Sequence, residues 1–321
     1  MGFYKLQYND NLREGKLIEA QKDSIDYEKT FEDWLENSPY ILYDDEGETV
    51  LWISRQEGAK IGDSVKRPDM IGINSDGNIV ICELKKGRAP REVIAQVLEY
   101  CAWASRLSYN ELNNIFKQYR NINGKDKELI NEFRLTFNFE DEEFNESDFN
   151  KGHELFVYAE EFTNSLISTA EFLSSAYNIP LKLIKYVVHR TEEDDIFIST
   201  ESLLLANSFR KKGLTEYSYD RWSEDKKLKD IVYDYVLKYL EEKNKNKFTP
   251  IDIIRYIIKD YPNMKKSSIR CQLIQDCVNH TSRKHYPSGQ RDLYYLVTKG
   301  KYRLYEKNDG KYNFEGKKST N

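Results

Sequence analysis

The sequence predicts an α/β protein: a mixed sheet flanked by helices, followed by a smaller helical unit that ends in a β-hairpin. Three observations predict it. Asp76-Gly77 separates two apolar runs, Met70–Ile73 and Asn78–Cys82, the short-range signal of a hairpin. Leu155 to His189 reads strand, helix, strand, the unit that adds a parallel strand to a sheet. From Leu228 to Val278 three helical segments follow one another, and two short strands around Thr298-Lys299-Gly300 close the pattern.

Residues 1–24 are mixed and polar, an edge strand or an arm. From Ser24 a helix is expected, capped by Asp26, with Tyr27, Phe31, Trp34 and Leu35 on one face and Ser38-Pro39 as its stop. Glu28 and Glu32 lie four apart and share a face. Thr49–Ser54 is apolar and β-branched, a short strand, and the loop Glu57–Lys66 leads to the hairpin.

The stretch Arg67–Tyr100 organises the rest. Asp69 follows Pro68, and the second apolar run ends in Glu83-Leu84-Lys85. Strand residues alternate faces, so Glu83 and Lys85 share one side, and the hairpin brings Asp69 beside them. Two carboxylates suit a hard divalent cation such as Mg²⁺, and a neighbouring ammonium can orient water or neutralise developing charge. Phosphodiester hydrolysis uses all of these functions. Glu-x-Lys alone is commonplace in a chain with 32% charged residues, where it marks a solvated pair on an edge strand. The Pro-Asp step, the hairpin and the apolar run into Glu83 favour the metal site.

Lys86-Gly87-Arg88-Ala89-Pro90 forms a basic turn, with Pro90 suited to a first helical turn. Val93, Ile94, Val97, Leu98, Cys101 and Ala104 give the next helix its apolar stripe, and Gln96 and Tyr100 share one of its faces.

Pro68-Asp69 with Glu83-Leu84-Lys85 resembles the signature of the PD-(D/E)XK nucleases. Arg67 ahead, Lys86-Gly87-Arg88 behind, and Gln96 and Tyr100 as a Q-x-x-x-Y element look most like the NucS/RecB-like branch. The resemblance covers about residues 25 to 200. It implies a restriction-endonuclease-like mixed sheet and a Mg²⁺- or Mn²⁺-dependent nuclease. Asp69 and Glu83 would bind the metal, with the Leu84 carbonyl a further ligand, and Lys85 would assist the attacking water. An acid on the first helix would reach the same metal; the motif aligns Glu28 with that role, and Glu32 is the runner-up. Gln96 and Tyr100 would face the site, and Lys86 and Arg88 would meet DNA. Arg67 either touches a phosphate or pairs with an acid nearby.

Asn110–Phe137 reads as one or two helices, and 139–154 as a solvated acidic loop that lacks the EF-hand spacing and glycine. Ser165–Tyr177 is the helix between the strands 155–158 and 181–189, and His189 is read as structural. The expected organisation is a first domain over 1–215, a linker over 216–227, a second domain over 228–308 and a flexible tail over 309–321.

The second domain carries three helices, the middle one capped by Thr249 with Pro250 at its first position and the third capped by Ser267-Ser268. Three helices and a hairpin resemble a winged helix-turn-helix, in which the third helix enters the major groove. That resemblance points Arg270, Gln272 and Gln275 at bases, with Lys265, Lys266, Arg283, Lys284, His285 and Arg291 around them. His280 and His285 have no cysteine partner at finger spacing, so zinc is excluded.

Charge supports this division. Residues 226–321 carry 22 Lys/Arg against 11 Asp/Glu, a net of +11, so 1–225 carries −16 of the total of −5. An acidic part joined to a basic part points to a nucleic-acid contact in the basic one. The four cysteines, Cys82, Cys101, Cys271 and Cys277, form no C-x-x-C pair and read as reduced thiols. No apolar run approaches the roughly 18 residues a membrane helix needs. Met1–Tyr8 does not read as a signal peptide and the sequence shows no phosphate-binding G-x-x-x-x-G-K-[ST], so a cytoplasmic protein is expected, without membrane or ATP. The expected function is a metal-dependent DNA endonuclease of duplex DNA, in restriction, phage defence or repair. A homodimer is expected where both strands are cut. The alternatives are a DNA-binding regulator with a silent nuclease-like domain, and an RNase.

Overall fold

A seven-stranded mixed sheet carries the first part of the chain. The computed structural model describes the whole chain except residues 1, 9–12, 14–15, 26, 44–47, 56–58, 62–63, 67, 121–127, 140–142, 204–225, 287–289 and 320–321. A small hairpin of β1 (Tyr4–Gln7) and β2 (Lys16–Glu19) precedes β3 (Gln21–Asp23), helix α1 (Glu28–Asn37) and β4 (Val50–Arg55). A short ribbon of β5 (Ala59–Ile61) and β6 (Ser64–Lys66) leads to the central hairpin, β7 (Met70–Asn74) and β8 (Ile79–Arg88). Helices α2 (Val93–Ala104), α3 (Tyr109–Tyr119) and α4 (Leu129–Phe137) follow, then β9 (His153–Glu161), α5 (Asn164–Tyr177), β10 (Leu181–Arg190) and β11 (Ile196–Ser202). The remainder holds α6 (Leu228–Glu242), α7 (Pro250–Asp260), α8 (Lys266–Gln275), β12 (Tyr294–Thr298) and β13 (Lys301–Leu304).

The sheet order is β11-β10-β9-β8-β7-β4, with β3 beside β10. β4, β7 and β8 are antiparallel, whereas β8, β9 and β10 run parallel. The parallel β9–β10 pair is joined through α5, as the strand–helix–strand pattern predicts. Asn74 folds the central turn: its Oδ1 accepts from the backbone N–H of Asp76 and of Asn78, each at 3.0 Å. Gly77 supplies the φ of +80° that closes it. Along β8 the alternation divides two cores. Ile79 and Ile81 join the layer under α2, α3 and α4, while Val80, Cys82 and Leu84 join Phe31 and Leu35 of α1 on the other face. The molecule is thus the expected mixed sheet flanked by helices, with a helical C-terminal part. Among the described residues no helix is long and apolar enough to cross a membrane.

Several expectations are corrected in detail. Helix α1 starts at Glu28 after Tyr27, which is exposed and provides no side-chain cap; Asp26 lies outside the described residues. The acidic segment 139–154 is not a solvated loop. Phe139, Phe144 and Phe149 pack their rings on Phe133 at 5.6, 4.3 and 5.0 Å, so apolar anchors spaced five apart pin an acidic surface. The expected linker falls almost wholly outside the described residues. The tail is folded over its described residues: Asn313 N donates to Lys317 O and Ser319 N to Lys311 O, both at 2.9 Å.

The largest correction concerns α8. Its residues from Ser267 to Gln275 are all buried. Ile269 and Leu273 face α6 and α7, whereas Cys271, Ile274 and the following Tyr286 belong to the core layer beneath α4. Ser267 and Ser268 do not cap the helix; their hydroxyls each donate to Glu48 Oε1 at 3.0 Å, and Ser75 Oγ in the hairpin turn donates to Oε2 at 3.2 Å. Arg270 donates to Asn138 O and to Glu143 Oε1, both at 2.9 Å, and covers the Phe139 ring at 4.5 Å. Tyr302 Oη donates to Asn138 Oδ1 at 2.6 Å. The C-terminal helices therefore seal the turn end of the central hairpin. Thr249, by contrast, caps α7 as expected, in a reciprocal capping box with Asp252.

Candidate active site

The β7–β8 register pairs Met70 with Cys82, so the next residues outward, Asp69 and Glu83, stand opposite each other. The first six residues of β8 are buried; the strand emerges at Lys85 and bulges at Gly87, where φ is +68°. Asp69 Oδ2 accepts from the Leu84 N–H at 2.7 Å, which ties the end of one strand to the other. Lys85 Nζ stands 2.6 Å from Glu83 Oε1, 2.9 Å from Leu84 O and 4.0 Å from Asp69 Oδ2. One ammonium thus sits among the three oxygens that the sequence assigns to a metal.

Burial dominates the electrostatics. The Glu83 side chain is 1% exposed. Burial, and then the charge of Glu83, pushes the Asp69 carboxyl up to about 7. Burial also raises Glu83, against the pull of Lys85. For Lys85 burial acts downward, but Glu83 and Asp69 outweigh it and hold the amine above its ordinary value. Glu83 Oε2 is buried and has no hydrogen-bond partner among the described residues. An orphaned carboxylate oxygen of this kind calls for a cation.

The donor set fits Mg²⁺ or Mn²⁺. No group of three His, Cys, Asp or Glu side chains at ligating spacing exists among the described residues. Two carboxylates and the Leu84 carbonyl leave room for the waters that Mg²⁺ retains, and they lack the Cys and His ligands usual at zinc. Asp69, Glu83 and Leu84 are the residues that would hold the ion.

Three further predicted residues converge here. Gln96 Nε2 donates to Tyr100 Oη at 2.9 Å, which leaves the phenol proton available as a donor. Burial raises the Tyr100 pKa, and the charges of Glu83 and Asp69 add to the rise, so α2 presents this pair to the site. Glu28 Oε1 accepts from the Lys86 N–H at 2.8 Å, just beyond Lys85. The runner-up Glu32 is buried and bound to Arg55 at 2.8 Å. Tyr186, which sequence reasoning missed, donates its hydroxyl to Lys85 O at 3.3 Å from β10. Its position on the α1-facing side of β10 was readable from strand alternation; its contact with a non-adjacent strand was not.

The DNA-contact residues divide. Lys86 and Arg88 are exposed, Arg88 pairing with Glu161 at 3.2 Å, and Arg67 lies outside the described residues. Lys265, Lys266 and Lys284 are exposed. Arg270, Gln272, Gln275 and Arg283 are buried, which corrects their expected presentation to DNA. Gln272 donates to Asp276 Oδ2 at 2.9 Å, Arg283 pairs with Asp292 at 2.6 Å, and Arg291 pairs with Asp276 at 2.9 Å and Asp230 at 3.0 Å. The two arginines are thus paired within the fold, while Gln272 Oε1 stays buried without a partner among the described residues.

Residues 228–304 match a family described as a domain of unknown function, DUF7669. No curated protein matches the chain. Two solved structures are similar to it, an EndoMS–dsDNA2 complex at 13% identity and a repair endonuclease from Pyrococcus abyssi at 12%, each with a TM-score of 0.27. In both cases the match covers 57% of this chain and 65% of the other, so this chain spans about two-thirds of their length.

The folded state keeps a proton that the unfolded chain releases near 3.8, so Asp69 removes stability as pH rises from there to about 7. A divalent cation needs the ionised pair and relieves that repulsion. The rise in melting temperature on adding Mg²⁺ is therefore expected to be larger at about pH 8 than at about pH 5.5, and the difference to shrink in Asp69→Asn. Equal Mg²⁺ shifts at both pH values would count against a metal on this pair.

Proposed function

We propose that the protein is a Mg²⁺- or Mn²⁺-dependent DNA endonuclease that hydrolyses phosphodiester bonds, in restriction-type defence or in DNA repair. The observation that carries this reading is the meeting of Asp69, Glu83 and Lys85 at one strand end, with an unpartnered buried oxygen on Glu83.

When bound, the cation supplies Lewis acidity to the scissile phosphate and makes the attacking water more acidic. Asp69 and Glu83 would hold it as an ionised pair, a state that burial opposes and a cation would favour. Lys85 is protonated, because its pKa is raised rather than depressed. It therefore acts as a donor that orients water and neutralises charge at the phosphate, not as a general base. Tyr100, braced by Gln96, offers a phenolic proton toward the same place. Glu28 fixes the backbone at Lys86 and adds negative charge beside Glu83. The burial of α8, the helix expected to read DNA, counts against a DNA-binding regulator that uses it. One site cuts one strand, so cleavage of both strands engages two copies.

The test is a supercoiled plasmid incubated with the protein in Mg²⁺, in Mn²⁺ and in EDTA, beside a labelled RNA. Nicked or linear plasmid in the metal lanes alone is the expected result. Intact plasmid in every lane, or RNA cut in preference to DNA, overturns it.

A further inference from the structure

With α8 closed, the positive charge of the C-terminal residues must act from another face. Their arginines are largely spent within the fold: Arg270 on Glu143, Arg283 on Asp292, Arg291 on Asp276 and Asp230, and Arg303 on Asp309. What faces solvent is mostly lysine, with Arg255 on α7 the exposed arginine among the described C-terminal residues. Three lysines, Lys245, Lys247 and Lys301, line one open cleft of about 680 Å³ between the α6–α7 connection and the start of β13. All three are exposed.

The cleft is built on a rigid base. Phe248 and Tyr302 exchange two backbone hydrogen bonds at 2.9 Å and stack their rings at 5.7 Å, which fixes Lys247 and Lys301 on facing walls. Lys245 donates to Tyr239 Oη at 3.1 Å, which directs its chain. Asn244, Asn246 and Thr249 add neutral polar groups to the lining. The acid in the lining, Asp252, already accepts from Thr249 N at 3.0 Å and Thr249 Oγ1 at 2.8 Å.

Exposed ammonium groups around an open cleft suit phosphate oxygens, contacts that position a strand and carry no sequence information. We propose that this cleft, rather than α8, holds the substrate by seating the phosphate backbone of a nucleic-acid strand without regard to sequence. The choice of ligand rests on the nuclease reading above. The C-terminal part then acts as a non-specific grip.

The experiment is fluorescence anisotropy of a labelled duplex in EDTA over a series of salt concentrations. The triple variant Lys245→Ala/Lys247→Ala/Lys301→Ala is compared with Lys259→Ala/Lys317→Ala/Lys318→Ala, which removes the same charge elsewhere. The first is expected to weaken binding by about tenfold or more, and equally for unrelated sequences. It should also flatten the slope of log K against log salt by about 2 to 3. The corresponding triple Lys→Arg variant keeps the slope. Unchanged affinity and slope in the cleft variant, an equal loss in the control, or no duplex binding by the wild type overturns the proposal. Plasmid cleavage in Mg²⁺, measured in parallel, separates the two readings. A protein that binds through the cleft but never cuts sinks the nuclease assignment alone. One that cuts while its cleft variant binds like wild type sinks the cleft alone.

Discussion

Exchanging Lys85 for methionine is expected to lower the proposed Mg²⁺-dependent cleavage by about 10³-fold while leaving Mg²⁺ affinity intact or higher. The side chain keeps its length and loses its charge. Its Nζ stands 2.6 Å from Glu83 Oε1 and 2.9 Å from Leu84 O, so the ammonium competes with a cation for those oxygens before the reaction. Asp69→Asn is expected to lose both rate and metal affinity, because it removes a ligand charge and leaves Glu83 to ionise without a partner acid. Initial rates of plasmid nicking and calorimetric Mg²⁺ titration give the two numbers. A Lys85→Met protein within about threefold of wild-type rate would falsify the assigned role, since a bystander amine is worth little.

Arg270→Ala is expected to destabilise the fold by about 3 to 5 kcal/mol, the usual effect of deleting one member of a buried ion pair. Its side chain is 8% exposed and that of Glu143 15%, so solvent screens little of the loss. The Asn138 carbonyl also loses a donor, and the Phe139 ring loses its cover. Urea unfolding followed by tryptophan fluorescence measures it. Arg270→Met combined with Glu143→Gln should recover much of the loss, because no charge is then stranded. A base-reading arginine behaves in the opposite way: it leaves stability unchanged and weakens DNA binding. A loss below about 1 kcal/mol would therefore return α8 to the surface.

The candidate site was legible because its information is local. Pro68-Asp69, the Asn74–Gly77 turn and Glu83-Leu84-Lys85 fall within a single hairpin, and strand alternation alone places their side chains. Gln96 and Tyr100 follow on the next helix at one-turn spacing. What the sequence hides is whichever polar residue finds its partner far along the chain. Arg270 looks like a reading residue because nothing near it in sequence neutralises it; Glu143 and Asn138 do so from about 130 residues away. The acidic run 139–154 hides three phenylalanines whose spacing matches neither helix nor strand, so no periodicity betrays them.

Glu48 joins two things that are usually separate. One oxygen takes Ser267 and Ser268 of α8, and the other takes Ser75, in the turn whose far strand end bears Asp69 and Glu83 roughly 20 Å away. Cys271, Ile274 and Tyr286 meanwhile complete a core layer that the earlier residues begin. Truncation after residue 227 is therefore expected to destabilise what remains: it strips the cover from an apolar floor and leaves a stranded carboxylate. The two parts are expected to melt in one transition, and two separate transitions in calorimetry would count against that coupling.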